Sequence, residues 1–222
     1  KNINIFSDIK NVLTNKKIRK ILILNIIWNV CLFTSVAYNA IYIFKELKLP
    51  YTYIMTVVFS TNLIRMLVTP VWTKWADKYG MAVILKYSFA FLGLHYLLFA
   101  LTGPQNAYVM YGILVIFAAI GWGFVGVGML GVQLDYTPVK KRISYLSINN
   151  AISGTCGFIA SIIAGKILNH IQLSNPVIFG TTIYGQQILN LISLAMIIIM
   201  ILFIKFSIQK EKKVISNTDG RI

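Results

Sequence analysis

The sequence predicts an all-α membrane protein with six transmembrane helices, and three observations carry that prediction. Hydrophobic residues make up 57% of the 222 and charged residues only 12%, about half the share of roughly 25% found in soluble domains. Six uninterrupted apolar runs follow one another, each long enough to cross ~30 Å of hydrocarbon at ~1.5 Å per residue. Basic residues gather in alternate joints between those runs. With a mean hydropathy of +0.73, the composition excludes a disordered chain, a coiled coil and most soluble enzymes, whose cores would need a charged skin.

Taken in order, residues 1–20 read as a basic amphipathic lead-in, expected on the cytoplasmic side. Span one covers residues 21–44, span two 51–72 and span three 81–101. Span four covers 108–132, span five 143–168 and span six 183–206. Residues 21–206 thus form one membrane domain, and 207–222 a cytoplasmic tail. The spans must be helical, because backbone amides in lipid need partners within their own segment, and a barrel would show short alternating strands instead. Turn chemistry marks the joints. Pro50 suits the first turn of span two, and Gly103-Pro104 separates spans three and four. Pro138 precedes a basic run before span five. Asn175-Pro176 and Gly180 break the stretch before span six.

The placement of charge sets the orientation. Lys10, Lys16, Lys17, Arg19 and Lys20 join Lys1 in the lead-in. Lys74, Lys78 and Lys86 surround the joint after span two, and Lys140, Lys141 and Arg142 the joint after span four. Lys205, Lys210, Lys212, Lys213 and Arg221 close the chain. The opposite side holds only Lys45, Lys48 and Lys166. The strongly basic side is expected to be cytoplasmic, and an even number of spans places both termini there. Tyr51, Tyr53, Tyr108, Tyr111 and Tyr184 would form an outer aromatic belt, with Trp72, Trp75 and Tyr145 an inner one. The expected location is the cell membrane, with the lipid bilayer as surroundings. No signal peptide is visible. The first residue is Lys1 rather than Met, and further sequence upstream is expected.

Several chemistries find no support. The formal charge of +15 resembles that of a nucleic-acid binder, but the cations sit in short clusters between long apolar runs rather than on one face, so no nucleic-acid partner is expected. Cys31 and Cys156 lie inside spans and read as small buried hydrophobes. His95 and His170 have no neighbouring ligand set, and no serine or cysteine pairs with a base. No catalytic residue, metal or cofactor is therefore expected, and the chain is not read as an enzyme. Gly121-Trp-Gly123-Phe-Val-Gly126 fits a dinucleotide motif in spacing alone. It follows no strand, and with Gly128 and Gly131 it reads as a close-packing helix face. Gly154, Gly157, Ala160, Ser161, Ala164 and Gly165 form a second such face in span five.

The joint Thr73-Lys74-Trp75-Ala76-Asp77-Lys78-Tyr79-Gly80 is the most specific feature. It resembles the loop signature of the major facilitator superfamily, G-x-L-A-D-R-x-G-R-K-x-x-L, which follows the second helix of each six-helix half. Ala76, Asp77, Lys78, Gly80 and Leu85 match. Thr73 replaces the first glycine, Trp75 the leucine and Met81-Ala82 the basic pair, as in the more degenerate copy of a C-terminal half. Pro138 and Arg142, followed by Tyr145, Asn149, Asn150 and Gly154, look like the proline–arginine loop between the tenth and eleventh helices. The resemblance implies two inverted three-helix repeats and a second, N-terminal half outside this sequence. It implies alternating access for a small-molecule substrate, with Asp77, Lys78, Gly80 and Arg142 in the gating loops. Read without the family, Asp77 precedes span three, where a carboxylate meets the positive end of a helix dipole. It either caps that turn or acts as a latch whose partner belongs to the other half. A membrane scaffold or sensor with the same fold is the alternative function.

Polar residues inside spans are costly and face a cavity or another helix. Arg65 lies roughly 10 Å from the inner end of span two at 1.5 Å per residue, where an arginine costs at least about 2.5 kcal/mol on insertion scales. Either it snorkels inward or it faces a transport cavity and supplies charge for an anionic group. Asn62, Thr61 and Thr69 extend its stripe. Span one carries Asn25 and Asn29, with Asn39 and Tyr42 further out. Span four carries Tyr111, Trp122, Met129 and Gln133 on one approximate face. In the superfamily the first helix of each repeat lines the central cavity, which makes Asn25, Asn29, Asn62, Arg65, Tyr111, Trp122 and Gln133 the candidate cavity residues. The other reading of each is hydrogen bonding and packing between helices. Gln186, Gln187 and Asn190 read as packing groups, and Asp135 as interfacial.

Overall fold

The computed structural model describes residues 5–174, 177–178 and 181–209. Among the described residues six helices are long and apolar enough to cross a membrane. A short helix, α1 (Ile5–Thr14), leads into α2 (Lys16–Ile41), α3 (Tyr51–Tyr79) and α4 (Met81–Ala100). α5 (Ala107–Tyr136), α6 (Arg142–Ser174) and α7 (Gly185–Phe203) complete the bundle. α2 and α7 each run on into a wider π turn, Tyr42–Glu46 and Ile204–Gln209. A two-residue antiparallel pair, β1 (Val177–Ile178) with β2 (Thr181–Thr182), stands between α6 and α7. The breaks expected at Asn175-Pro176 and Gly180 lie outside the described residues. So do Lys1, most of the C-terminal tail and its cations from Lys210 to Arg221.

Each apolar run is a helix, but several helices outlast the run. α3 continues past Trp72 to Tyr79, so the expected loop is helical and the joint shrinks to one residue, Gly80. Lys74 and Lys78 end the oily stretch without ending the helix, since lysine is a good helix former. Gly80 stops it, with φ 94°, a backbone region that favours glycine. The lead-in also differs: α1 is separate, and Asn15 caps a new helix through its side chain, which accepts from the Lys17 and Ile18 amides. Pro50 stands at the N-cap of α3, one residue before the first turn.

α4 packs along α5, and α2 along α6. α7 bridges α4 and α2, while α3 lies along α5. Exchanging α2 with α5, α3 with α6 and α4 with α7 leaves this pattern of neighbours unchanged. The two three-helix units are thus visible as a symmetry of packing, although no repeat is legible in the residues. Helices three apart in a chain that crosses at every span run in opposite directions, so the repeat is inverted.

Glycine brings the central pairs together. A Cβ on Gly121 would stand 2.7 Å from Leu92 Cγ and 2.9 Å from the Ser88 carbonyl oxygen, which locks α5 onto α4. A Cβ on Gly157 would stand 2.7 Å from Phe33 Cδ2, which seats α6 on α2. Small residues at such crossings let backbones approach and gain dispersion contacts in lipid. The main core, around Leu24, Trp28, Leu85, Phe89, Leu92, Phe124 and Met200, joins α2, α4, α5 and α7. A second cluster, around Tyr42, Ile54, Phe99, Tyr111 and Leu114, closes the end far from the basic joints. α3 is the least covered element: 6% of its most apolar stretch is buried, against 50% in α4 and α5.

Candidate functional site

Arg65 is the central residue of the 29-residue α3. That places it ~21 Å from either helix end and ~14 Å from Lys74, where the basic residues of α3 begin, at 1.5 Å per residue. At this depth the side chain does not reach the basic end. Instead the guanidinium stands over the Trp122 ring, 5.9 Å from its centroid, at the edge of the range in which a cation is held by a ring face. Trp122 in turn lies at the middle of α5. Its ring meets Trp28 of α2 edge-on at 5.3 Å, and Trp28 meets Phe89 of α4 at 5.3 Å. A line of aromatic rings therefore runs from the buried core to a cation on the open side of α3.

The crossing of α3 with α5 is fixed by hydrogen bonds to backbone carbonyls of α5. The Thr69 hydroxyl donates to the Gly123 oxygen at 2.8 Å, and the Trp72 indole N–H donates to the Ile120 oxygen at 2.9 Å. These bonds set the height of Arg65 against Trp122. Asn62 is exposed one turn away, its amide donating to the Val58 oxygen of its own helix at 3.0 Å.

A second polar group lies nearer the basic end. Gln133 Nε2 donates to Asn25 Oδ1 at 3.3 Å, and Asn149 Nδ2 donates to Gln133 Oε1 at 3.4 Å. All three side chains are buried, so α2, α5 and α6 meet through amides. Asn25 Nδ2 and Asn149 Oδ1 have no partner among the described residues. Asn29 donates to the Asn25 carbonyl at 2.9 Å and stands beside Gly157. Tyr111 is not part of either group: it is packed at the far end beside Tyr53. Of the expected cavity residues, then, Arg65 meets Trp122, with Asn62 nearby, and Asn25 meets Gln133, with Asn29 nearby.

The loop residues also separate. Asp77 is exposed in the last turn of α3 rather than ahead of α4, and no side chain caps the start of α4. Lys78 Nζ lies 5.2 Å from the Tyr79 ring centroid. Arg142 begins α6, and its Nη2 donates to the Leu134 oxygen at 3.4 Å. Gln186 and Asn190 are fully buried, and Asn190 Nδ2 donates to Asn39 Oδ1 at 3.0 Å, joining α7 to α2.

Two features had no sequence signal. Trp28 looks like any other apolar residue of its span. Asp8 of α1 is 133 residues away from its partner, Lys141, whose Nζ donates to Asp8 Oδ1 at 2.5 Å. The Ser144 hydroxyl donates to Asp8 Oδ2 at 2.7 Å. Asp8 is buried while Lys141 stays half-exposed. These hydrogen bonds, Lys141 first and Ser144 second, hold the Asp8 carboxyl below its ordinary range. The same contact raises the Lys141 ammonium above its own. Among the described residues no group of three or more His, Cys, Asp or Glu side chains converges.

The family model described as Major Facilitator Superfamily matches residues 3–161, well over half of the chain. The chain belongs to the major facilitator superfamily. No curated protein and no solved structure matches it. Members of this superfamily are membrane transporters rather than enzymes, and six apolar helices make this one a multi-pass membrane protein.

Proposed function

We propose that the chain is the C-terminal half of a secondary transporter that moves a small solute by alternating access, with both termini in the cytoplasm. The observation that carries this reading is the position of Arg65. A cation at the middle of a membrane helix is costly, and it lies on the element least covered by its own bundle. Midplane sites between two halves are where such transporters bind substrate. In that reading Arg65 recognises an anionic group of the solute or pairs with a carboxylate of the N-terminal half. Trp122 and Trp28 form the apolar wall beside it, with Asn62 and Asn29 as hydrogen-bonding groups.

The amide group of Asn25, Gln133 and Asn149 then acts as the cytoplasmic gate. Its bonds are long, 3.3 and 3.4 Å, and two of its polar atoms gain partners when the helices part. Asp77, exposed beside Gly80, is the latch residue that engages the other half. The driving force is a solute or ion gradient. The test is flux into proteoliposomes that carry the whole protein, measured over a broad panel of anionic and neutral solutes. Uptake or efflux that requires Arg65 is expected. No flux of any solute, with the protein folded and correctly oriented, would instead favour the scaffold or sensor.

A further inference from the structure

A groove of about 650 Å³ opens between the halves of α3 and α4 nearest the basic end. Leu67, Val71, Trp75 and Tyr79 of α3 form one wall, and Tyr87 and Phe91 of α4 the other. The groove runs from Leu67 to Tyr79, ~18 Å at 1.5 Å per residue, close to the ~15 Å of hydrocarbon in one leaflet. Its walls are apolar or aromatic throughout, and Arg65 is not among the residues that line it.

The charge at its mouth says what fills it. Leu67, Val71, Lys74 and Lys78 stand at i, i+4, i+7 and i+11, so one line along α3 is apolar at depth and basic at the surface. Asp77 points about 100° away from Lys78 round the helix. Lys78 Nζ lies 5.2 Å from the Tyr79 ring, and Lys86 Nζ lies 4.8 Å from the Tyr87 ring, so both cations lie against rings that line the groove. Lys86 sits in the second turn of α4, where its stem must reach the surface along apolar walls. None of these three lysines has an acidic partner among the described residues. We infer that this groove binds an anionic phospholipid, with one acyl chain between α3 and α4 and the phosphate held by Lys74, Lys78 and Lys86. The site requires the chain to lie in a bilayer and does not require it to transport.

The test is lipid retention by the purified protein in native mass spectrometry, using phosphatidylglycerol and phosphatidylcholine with the same chains. Near a membrane surface each lysine favours an anionic headgroup by about 1 kcal/mol, roughly fivefold, so a preference of at least about tenfold for phosphatidylglycerol is expected. Lys78→Ala with Lys86→Ala should reduce that preference to the roughly fivefold that Lys74 alone supplies. Val71→Trp, which fills the groove, should reduce retention of both lipids, and Leu67→Trp serves if that variant does not fold. Ile163→Trp, at an exposed apolar position on α6, should change neither. Equal retention of the two lipids, an unchanged preference in the double lysine variant, or equal loss in the Ile163 control would overturn the site. A photoreactive acyl chain on phosphatidylglycerol should label peptides of α3 and α4, and labelling spread evenly over α6 and α7 would count equally against it.

Discussion

The guanidinium of Arg65 lies 5.9 Å from the centroid of the Trp122 ring, and each of the two residues stands at the middle of its own helix. Arg65 is exposed, and a cation held by a ring at an exposed site gains about 0.5–1 kcal/mol, less than the cost of inserting an arginine. Among the described residues Arg65 has no acidic partner, and the Trp122 ring is the group that its guanidinium meets. Arg65→Ala is expected to lower flux at least tenfold while leaving the amount of folded protein unchanged. Arg65→Lys keeps the charge but loses the planar stacking group, and should retain part of the flux. Full activity of the lysine and alanine variants alike, measured in proteoliposomes, would remove Arg65 from the transport path.

The contact of Asp8 with Lys141 and Ser144 ties α1 to the start of α6. Asp8 has a folded pKa below its ordinary 3.8. Its contribution is therefore fully present above that value and is lost as pH falls through the lowered one. Lys141 has a folded pKa above 10.5. Its contribution is present below 10.5 and lost only as pH rises through the raised value. A spin label at Leu13, which is exposed on α1, should report an immobile helix from about pH 5 to pH 9 and a mobile one in strong acid. Asp8→Asn should mobilise it at every pH, and the exchange Asp8→Lys with Lys141→Asp should restore it.

Glycines of α5 divide by what they face. Gly121→Ala forces a methyl group into Leu92 and the Ser88 carbonyl, an overpacking that costs about 1–3 kcal/mol. Gly126 has nothing within 4 Å of an added Cβ, so Gly126→Ala should be neutral or stabilise by up to about 1 kcal/mol through helix propensity. Thermal unfolding in detergent would separate the two, and equal shifts would contradict the packing described at the crossing of α5 with α4.

Orientation can be read directly. Single cysteines replacing Lys48 and Lys140, both exposed, should react with an impermeant reagent from opposite faces of intact cells, Lys48→Cys from outside. Labelling of both from one face would remove the assigned topology.

Much of the fold was legible because it follows from hydrophobicity alone. All six helices lie where oily runs occur, and the glycine face at Gly121 packs as its spacing implied. Helix ends were harder, because Lys74 and Lys78 interrupt an apolar run but not a helix, and only Gly80 stops the backbone. Asn25, Gln133 and Asn149 stood out singly as polar residues near or within spans, but their meeting depends on how α2, α5 and α6 cross. Trp28 and Asp8 gave no signal, the first because it is apolar in an apolar span, the second because its partner lies at the start of α6.

A single residue joins α3 to α4, and that tether has no slack. Tilting α3 must drag the near end of α4 with it, and α4 is wedged against α5 and α7. At the opposite extremity residues 101–106 leave α4 and α5 a looser strap. The α3–α4 corner at the basic rim is therefore tighter than the α4–α5 corner at the other end. Lengthening the Gly80 link by a few residues should uncouple the stroke while leaving every helix in place.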